Sequence, residues 1–223
     1  MTPGSNIPPT WYRKNCDDCE RLNRFLKQVK HTHGDYFCKP VPPFGTLDAE
    51  LLIVGLAPGK HGANATGRPF TGDHAGILLY QTLHRFGFCS APHSLHREDG
   101  LELYNCRITN AVKCLPPENK PVGDEVANCN RFLAAELAEP NLKLVLALGL
   151  LAHRAVLRAF GLVLSHYPFG HNVRYGLGNG VTMVDSYHCS RYNTQTRRLT
   201  EAMFCQVFEQ IRSELKTGKS GAK

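Results

Sequence analysis

A glycine-rich loop, a set of spaced cysteines, and single carboxylate, amide and imidazole groups are the chemically capable features of this chain. The loop, GLAPGKHGANATGRPFTGD at residues 55–73, lies between the apolar run LLIV and the helical pattern HAGILLYQTLHRF. Such a loop invites a phosphate-binding reading, in which backbone N–H groups surround the anion and a lysine and a hydroxyl follow. Here Gly55-Leu-Ala-Pro-Gly59-Lys60-His61 is one residue short, and His61 stands where the hydroxyl belongs. Pro58 also removes a backbone donor. The dinucleotide pattern G-x-G-x-x-G is absent too, so the nucleotide reading is weak. What the loop offers instead is Phe70, a candidate stacking platform, and Asp73 just ahead of a helix. Taken alone, Asp73 reads more simply as a helix N-cap and Phe70 equally well as a core residue.

Cys16 and Cys19 form a C-x2-C pair ahead of a helical stretch, and Cys114 and Cys129 enclose LPPENKPVGDEVAN. The prolines extend the chain after Cys114, and GDEVANC begins a helix that can bring Cys129 back. Thiolates arriving in this way can enclose either zinc or an iron–sulfur cubane. The wide second gap leans towards a cluster, but spacing alone leaves both open. Burial as small apolar residues suits Cys38, Cys89, Cys106, Cys189 and Cys205 and fits the charged surroundings of Cys16 and Cys19 poorly.

Regularly alternating elements carry these groups. Strand-like runs at 49–54, 105–111, 142–148 and 181–186 are followed by helical patterns at 73–87, 123–138, 149–160 and 199–215. That alternation predicts an α/β fold with a mostly parallel sheet covered on both faces. The run LKLVLAL has no polar alternation, as suits a strand buried on both sides. Ligands of open parallel sheets bind outside the carboxyl ends of the strands. Gly55 to Asp73 follows the first strand, Asn110 closes the second, and SYHCSRYN (186–193) closes the fourth. Three unusual segments therefore converge on one rim.

Lys and Arg number 26 against 19 Asp and Glu, a net charge of +7 that favours polyanionic partners. No stretch approaches the ~18 apolar residues of a membrane span. The start has no apolar core of a signal peptide. The expectation is a soluble, monomeric, cytoplasmic protein with one domain over 1–215, a loop at 90–100, and a disordered basic tail, KTGKSGAK, at 216–223.

With these segments in order, the chain resembles the uracil-DNA glycosylases, and among them the family-five (type B) enzymes of bacteria and archaea. The residues that carry the resemblance are GLAPGKHGANATGRPFTGD, ITNAVKCLPPENKPVGDE with the distal Cys129, and SYHCSRYNTQTRRLT. It spans about Cys16 to Phe208. It implies a three-layer α/β/α fold with a central four-stranded parallel sheet, and a [4Fe–4S] cluster on Cys16, Cys19, Cys114 and Cys129. Family-four enzymes carry an acidic residue directly after the first glycine of the loop; here it is Leu56, an apolar position shared with family five. The last motif commonly reads H-P-S, whereas here it is His188-Cys189-Ser190, which predicts a less rigid turn.

The resemblance implies a flipped base and hydrolysis of its glycosidic bond, leaving an abasic site in DNA. Phe70 then stacks on the pyrimidine, and Asn110 presents an acceptor and a donor to N3–H and O4 of uracil. Asp73 stabilises the sugar cation and orients a water, while His188 donates towards O2, helped by the backbone at Gly55, Leu56 and Ala57. Arg191, Tyr192 and Asn193 are placed to touch DNA. Lys113 and Lys120 are expected to offer basic surface near the cluster. Leu56 in place of a carboxylate leaves room for other deaminated bases, hypoxanthine included. Two rivals stand beside this reading: a non-catalytic iron–sulfur or zinc nucleic-acid-binding module, and a nucleotide hydrolase built on the first loop.

Overall fold

Strands β2 (Leu51–Gly55), β3 (Cys106–Asn110), β4 (Leu144–Leu148) and β6 (Val181–Ser186) are each five or six residues long and almost wholly buried. They run parallel to one another in the order β3-β2-β4-β6. The computed structural model describes residues 7–217. Alternation along each strand explains why these runs are apolar throughout. Leu51, Ile53, Leu144, Leu146 and Val184 pack with α3 (His74–Arg85) and α7 (Glu201–Thr217). Leu52, Val54, Val145, Ala147 and Met183 pack instead with α4 (Gly123–Leu137) and α5 (Leu150–Ala159). Both faces of the sheet are covered, so neither has a polar side. These are the three layers.

The sheet itself corrects one expectation. Among the described residues it has six strands and is mixed, where the resemblance implies four parallel strands alone. The two extra strands are antiparallel edges: β1 (Phe44–Gly45) against β3, and β5 (Arg174–Gly178) against β6. β1 is only two residues long, and β5 reads RYGLG, where glycines and half-exposed side chains hide the strand pattern. The last helix, expected to end at residue 215, continues to Thr217, two residues into the expected tail; the rest of that tail lies outside the described residues. The loop at 90–100 is a loop.

Ahead of the sheet, α1 (Glu20–Thr32) buries Leu22, Leu26 and Val29. Its Arg21 grips Glu125 at the start of α4 with two 2.7 Å bonds, and Glu125 also accepts from the Val122 N–H. The N-terminal segment is thereby tied to the helix that carries Cys129.

Beneath that junction lies a buried charge network. Glu136 on α4 accepts from Lys113 Nζ at 2.6 Å and from the Thr109 hydroxyl at 2.8 Å, and faces Arg107 Nε at 3.4 Å. Arg107 stacks over Trp11 and donates to the Thr46 and Leu47 carbonyls. Lys113, expected at the surface, is thus buried, because its ammonium sits between Glu136 and Thr109. Lys120 is exposed, 3.6 Å from Glu118.

Candidate active site

One pocket at the carboxyl rim of the sheet is lined by Leu56, Ala57, Phe70, Asp73, Asn110 and His188. Gly59, Ala63, Ala75, Asn119 and Ser190 complete its wall. The three segments read from sequence therefore meet around a single space.

Asp73 is both an N-cap and a pocket residue. Its Oδ1 accepts from the Gly76 N–H at 2.9 Å, closing the first turn of α3. Its Oδ2 faces back towards the glycine loop, since a Cβ on Gly62 would lie 2.4 Å from it. Burial raises the Asp73 carboxyl above the ordinary Asp value, opposed by the N–H groups of Gly76 and Ala75. One oxygen is held by the helix and the other lies against the glycine loop that walls the pocket.

Phe70 adopts a left-handed backbone, with φ of 53°. The Tyr80 hydroxyl donates to the preceding Pro69 carbonyl at 2.8 Å. Arg68, itself buried, bonds Thr71 Oγ1, Ser94 Oγ and Asp99 Oδ2 at 3.0, 2.6 and 2.5 Å. The Gly72 N–H donates to the Ser94 carbonyl. The 90–100 loop thus clamps the Phe70–Asp73 wall from behind.

Asn110 ends β3 directly opposite Gly55 of β2, is buried, and makes no side-chain hydrogen bond among the described residues. Gly55 is needed there. A Cβ at that position would lie 2.5 Å from Asn110 Oδ1 and 2.7 Å from Phe70 Cζ. We therefore expect Gly55→Ala to displace both side chains and to cut the single-turnover rate of the base excision that the resemblance implies by an order of magnitude, about 1.4 kcal/mol of transition-state stabilisation. A rate within twofold of the parent would mean that neither side chain is positioned by this contact.

His188 lies two residues beyond β6, its ring centroid 5.9 Å from that of Phe70. Burial holds the imidazole down at about 4, so at neutral pH it is an uncharged hydrogen-bond donor. The turn that follows is pinned by side chains. Asn193 Nδ2 donates to the His188 carbonyl at 2.8 Å, and Ser190 caps α6 (Arg191–Gln195) through the Asn193 N–H. Cys189 is fully buried in the core. Arg191 and Tyr192 stand in solvent just past the pocket, Tyr192 at 71% exposure, whereas Asn193 is turned inward.

Sequence reasoning misses Ser190 and Asn119 as wall residues. Ser190 adjoins His188-Cys189 and is legible only as an N-cap. Asn119 owes its place to left-handed backbone at Glu118 and Asn119, which nothing in PPENKP announces.

The four cysteines also come together. Cys16, Cys19, Cys114 and Cys129 line one pocket with Leu22, Val112 and Phe132. Three of the sulfurs have N–H groups within reach: Arg13 to Cys16 at 3.5 Å, Asn128 to Cys19 at 3.7 Å, and the Lys113 backbone to Cys129 at 3.3 Å. All nine cysteines are free thiols. Among the described residues, no group of three or more His, Cys, Asp or Glu side chains is arranged to hold a single metal ion.

A mixed α/β/α sandwich with a polar-lined pocket at the carboxyl rim of its sheet has the architecture of an α/β enzyme. Residues 42–212 match the family model described as the uracil DNA glycosylase superfamily, and the chain belongs to that family. It is 46% identical over 198 residues to the type-5 uracil-DNA glycosylase of Thermus thermophilus, covering 86% of this chain and 90% of that one. To the type-5 uracil-DNA glycosylase of Pyrobaculum aerophilum it is 39% identical over 219 residues, covering 94% and 96%. Similarity to the type-4 uracil-DNA glycosylase of Thermotoga maritima is 38% over 106 residues, 47% of each chain.

Proposed function

We propose that the protein is a monofunctional DNA glycosylase of base-excision repair, which flips uracil out of DNA and hydrolyses its N-glycosidic bond. The observation that carries this reading is the single pocket in which Asp73, Asn110, Phe70 and His188 meet. Bond cleavage leaves positive charge on the sugar and negative charge on the departing base, so preorganised groups of opposite character do most of the work. The Asp73 oxygen left free by capping stabilises the sugar cation and orients the attacking water. His188, uncharged, stabilises the uracil anion by donating towards O2. Asn110, whose amide has no protein partner among the described residues, reads N3–H and O4, and Phe70 stacks on the ring. Leu56 and Ala57 give the pocket an apolar floor with no second carboxylate, which supports acceptance of other deaminated bases such as hypoxanthine. Arg191 and Tyr192 contact DNA beside the opening, and Asn193 holds the His188 turn. The protein acts as a monomer in the cytoplasm; among the described residues no helix is long and apolar enough to cross a membrane.

Cys16, Cys19, Cys114 and Cys129 fit a [4Fe–4S] cluster. Their sulfurs surround an apolar pocket instead of meeting at one point, and N–H donors stand by three of them, as thiolates require. Such a cluster would cross-link the fold, joining the N-terminal segment to the loop after β3 and to α4.

The rival readings are weaker. A non-catalytic binding module has no use for a carboxylate, an amide and an imidazole around one space. A nucleotide hydrolase lacks the hydroxyl beside Lys60. Incubation with uracil-containing duplex, followed by alkali, separates them: strand breaks at uracil are the expected result. Uncut DNA at stoichiometric protein would overturn the reading.

A further inference from the structure

We propose that a basic cleft beside the cysteine segment seats the DNA phosphate backbone on one side of the flipped nucleotide. This inference rests on DNA being the substrate. The cleft lies between the chain around Cys16, the outer face of α1 and the 38–40 segment, and is lined by Lys14, Lys27, Lys30 and Lys39. All four lysines are exposed. Lys30 donates to the Tyr36 carbonyl, which holds its ammonium in place. The lysines that form ion pairs among the described residues are Lys113, Lys120 and Lys143, so Lys14, Lys27 and Lys39 keep their charge for another partner. One acid, Asp17, shares the lining, but it faces Arg13 at 3.4 Å. Positive charge dominates the cleft.

Its position is as telling as its charge. The Cys38 N–H donates to the Asn64 carbonyl at 3.1 Å, the Phe37 N–H donates to Ala65, and Asn64 Nδ2 donates to Cys38 Sγ. Asn64 adjoins Ala63, which lines the active pocket. The cleft and the pocket are therefore two sides of one short wall. A nucleotide entering the pocket brings its flanking phosphates to the rim, and a duplex carries a charge about every 1.7 Å along its axis. The backbone leaving the rim across this wall meets three lysines without ion-pair partners among the described residues.

Removing one lysine that neutralises a phosphate makes the slope of log K against log salt shallower by about 0.9 for duplex DNA. The triple variant Lys14→Gln, Lys27→Gln, Lys39→Gln is expected to bind uracil-free duplex with a slope reduced by about 2 to 3. Its thermal melt should match the parent's, because all three side chains are exposed and carry no ion pair among the described residues. A control variant, Arg85→Gln, Lys143→Gln, Arg158→Gln, removes the same charge away from the cleft. A triple-variant slope no shallower than the control's would overturn the proposal. If the unaltered protein released no uracil, the function proposed above would fail, while the slope comparison would still decide this one.

Discussion

Asp73→Asn is expected to abolish nearly all excision while leaving the fold intact. The two oxygens of Asp73 stand apart: one caps α3, the other lies against the glycine loop, and the residue lines the pocket. Asparagine keeps the capping acceptor and ranks with aspartate as a cap, so stability should change by only a few tenths of a kcal/mol. The negative charge proposed to face the sugar cation is lost, however, and removal of one preorganised electrostatic group typically costs about 10²–10³ in rate. Asp73→Ala should lose the same activity and a further ~1 kcal/mol of stability with the cap. Single-turnover rates and thermal melts of both variants, with DNA binding as a control, check this. The parent's pH profile has a matching form. The carboxyl is raised by burial, so the fall in rate on acidification should begin above the pH at which an ordinary Asp titrates. His188, held at about 4, should add no inflection near its usual 6.5. An Asp73→Asn variant of full activity would remove the carboxylate from the mechanism.

Glu136→Ala should be the most damaging substitution to stability. The carboxylate is completely buried, is bonded to Lys113 and faces Arg107, which is also buried. Its removal leaves two cations in the core without their anion, and breaking a buried pair in this way costs about 3–5 kcal/mol. That is a large share of the roughly 5–15 kcal/mol that stabilises a typical domain. The damage should also spread. Lys113 precedes Cys114 and donates its N–H to Cys129, while Arg107 holds Trp11 and the Leu47 carbonyl. Urea unfolding should therefore show a lower midpoint and earlier exposure of Trp11, the single tryptophan, by fluorescence. A variant whose midpoint matches the parent's would show that the network carries no net stability.

The core strands and the pocket are legible in the sequence because their signals are local. Apolar runs of strand length followed by helical periods fix the parallel layers, and loops at strand ends must share a rim. Leu52 and Val54 against Leu51 and Ile53 show why: apolar residues on both faces of a strand demand cover on both faces. The edge strands are not legible, since two residues of β1 and the glycines of β5 carry no period. Lys113 misleads for a different reason. Lysine is seldom buried, and only the tertiary approach of Glu136, 23 residues away, neutralises it. Asp73 and Phe70 each pose a choice between a structural and a chemical role. In the folded chain the structural role does not exclude the other: Asp73 caps a helix with one oxygen and also lines the pocket, and Phe70 belongs to the core while bordering the pocket.

The central claim about this pocket is that it hydrolyses the bond between uracil and deoxyribose. Product analysis after purified protein is mixed with a duplex carrying one uracil decides it. Free uracil should appear in solution, with an abasic site in its place and an intact backbone until alkali is added. Recovery of the uracil still attached to its sugar, at protein concentrations that bind the duplex fully, would contradict that chemistry.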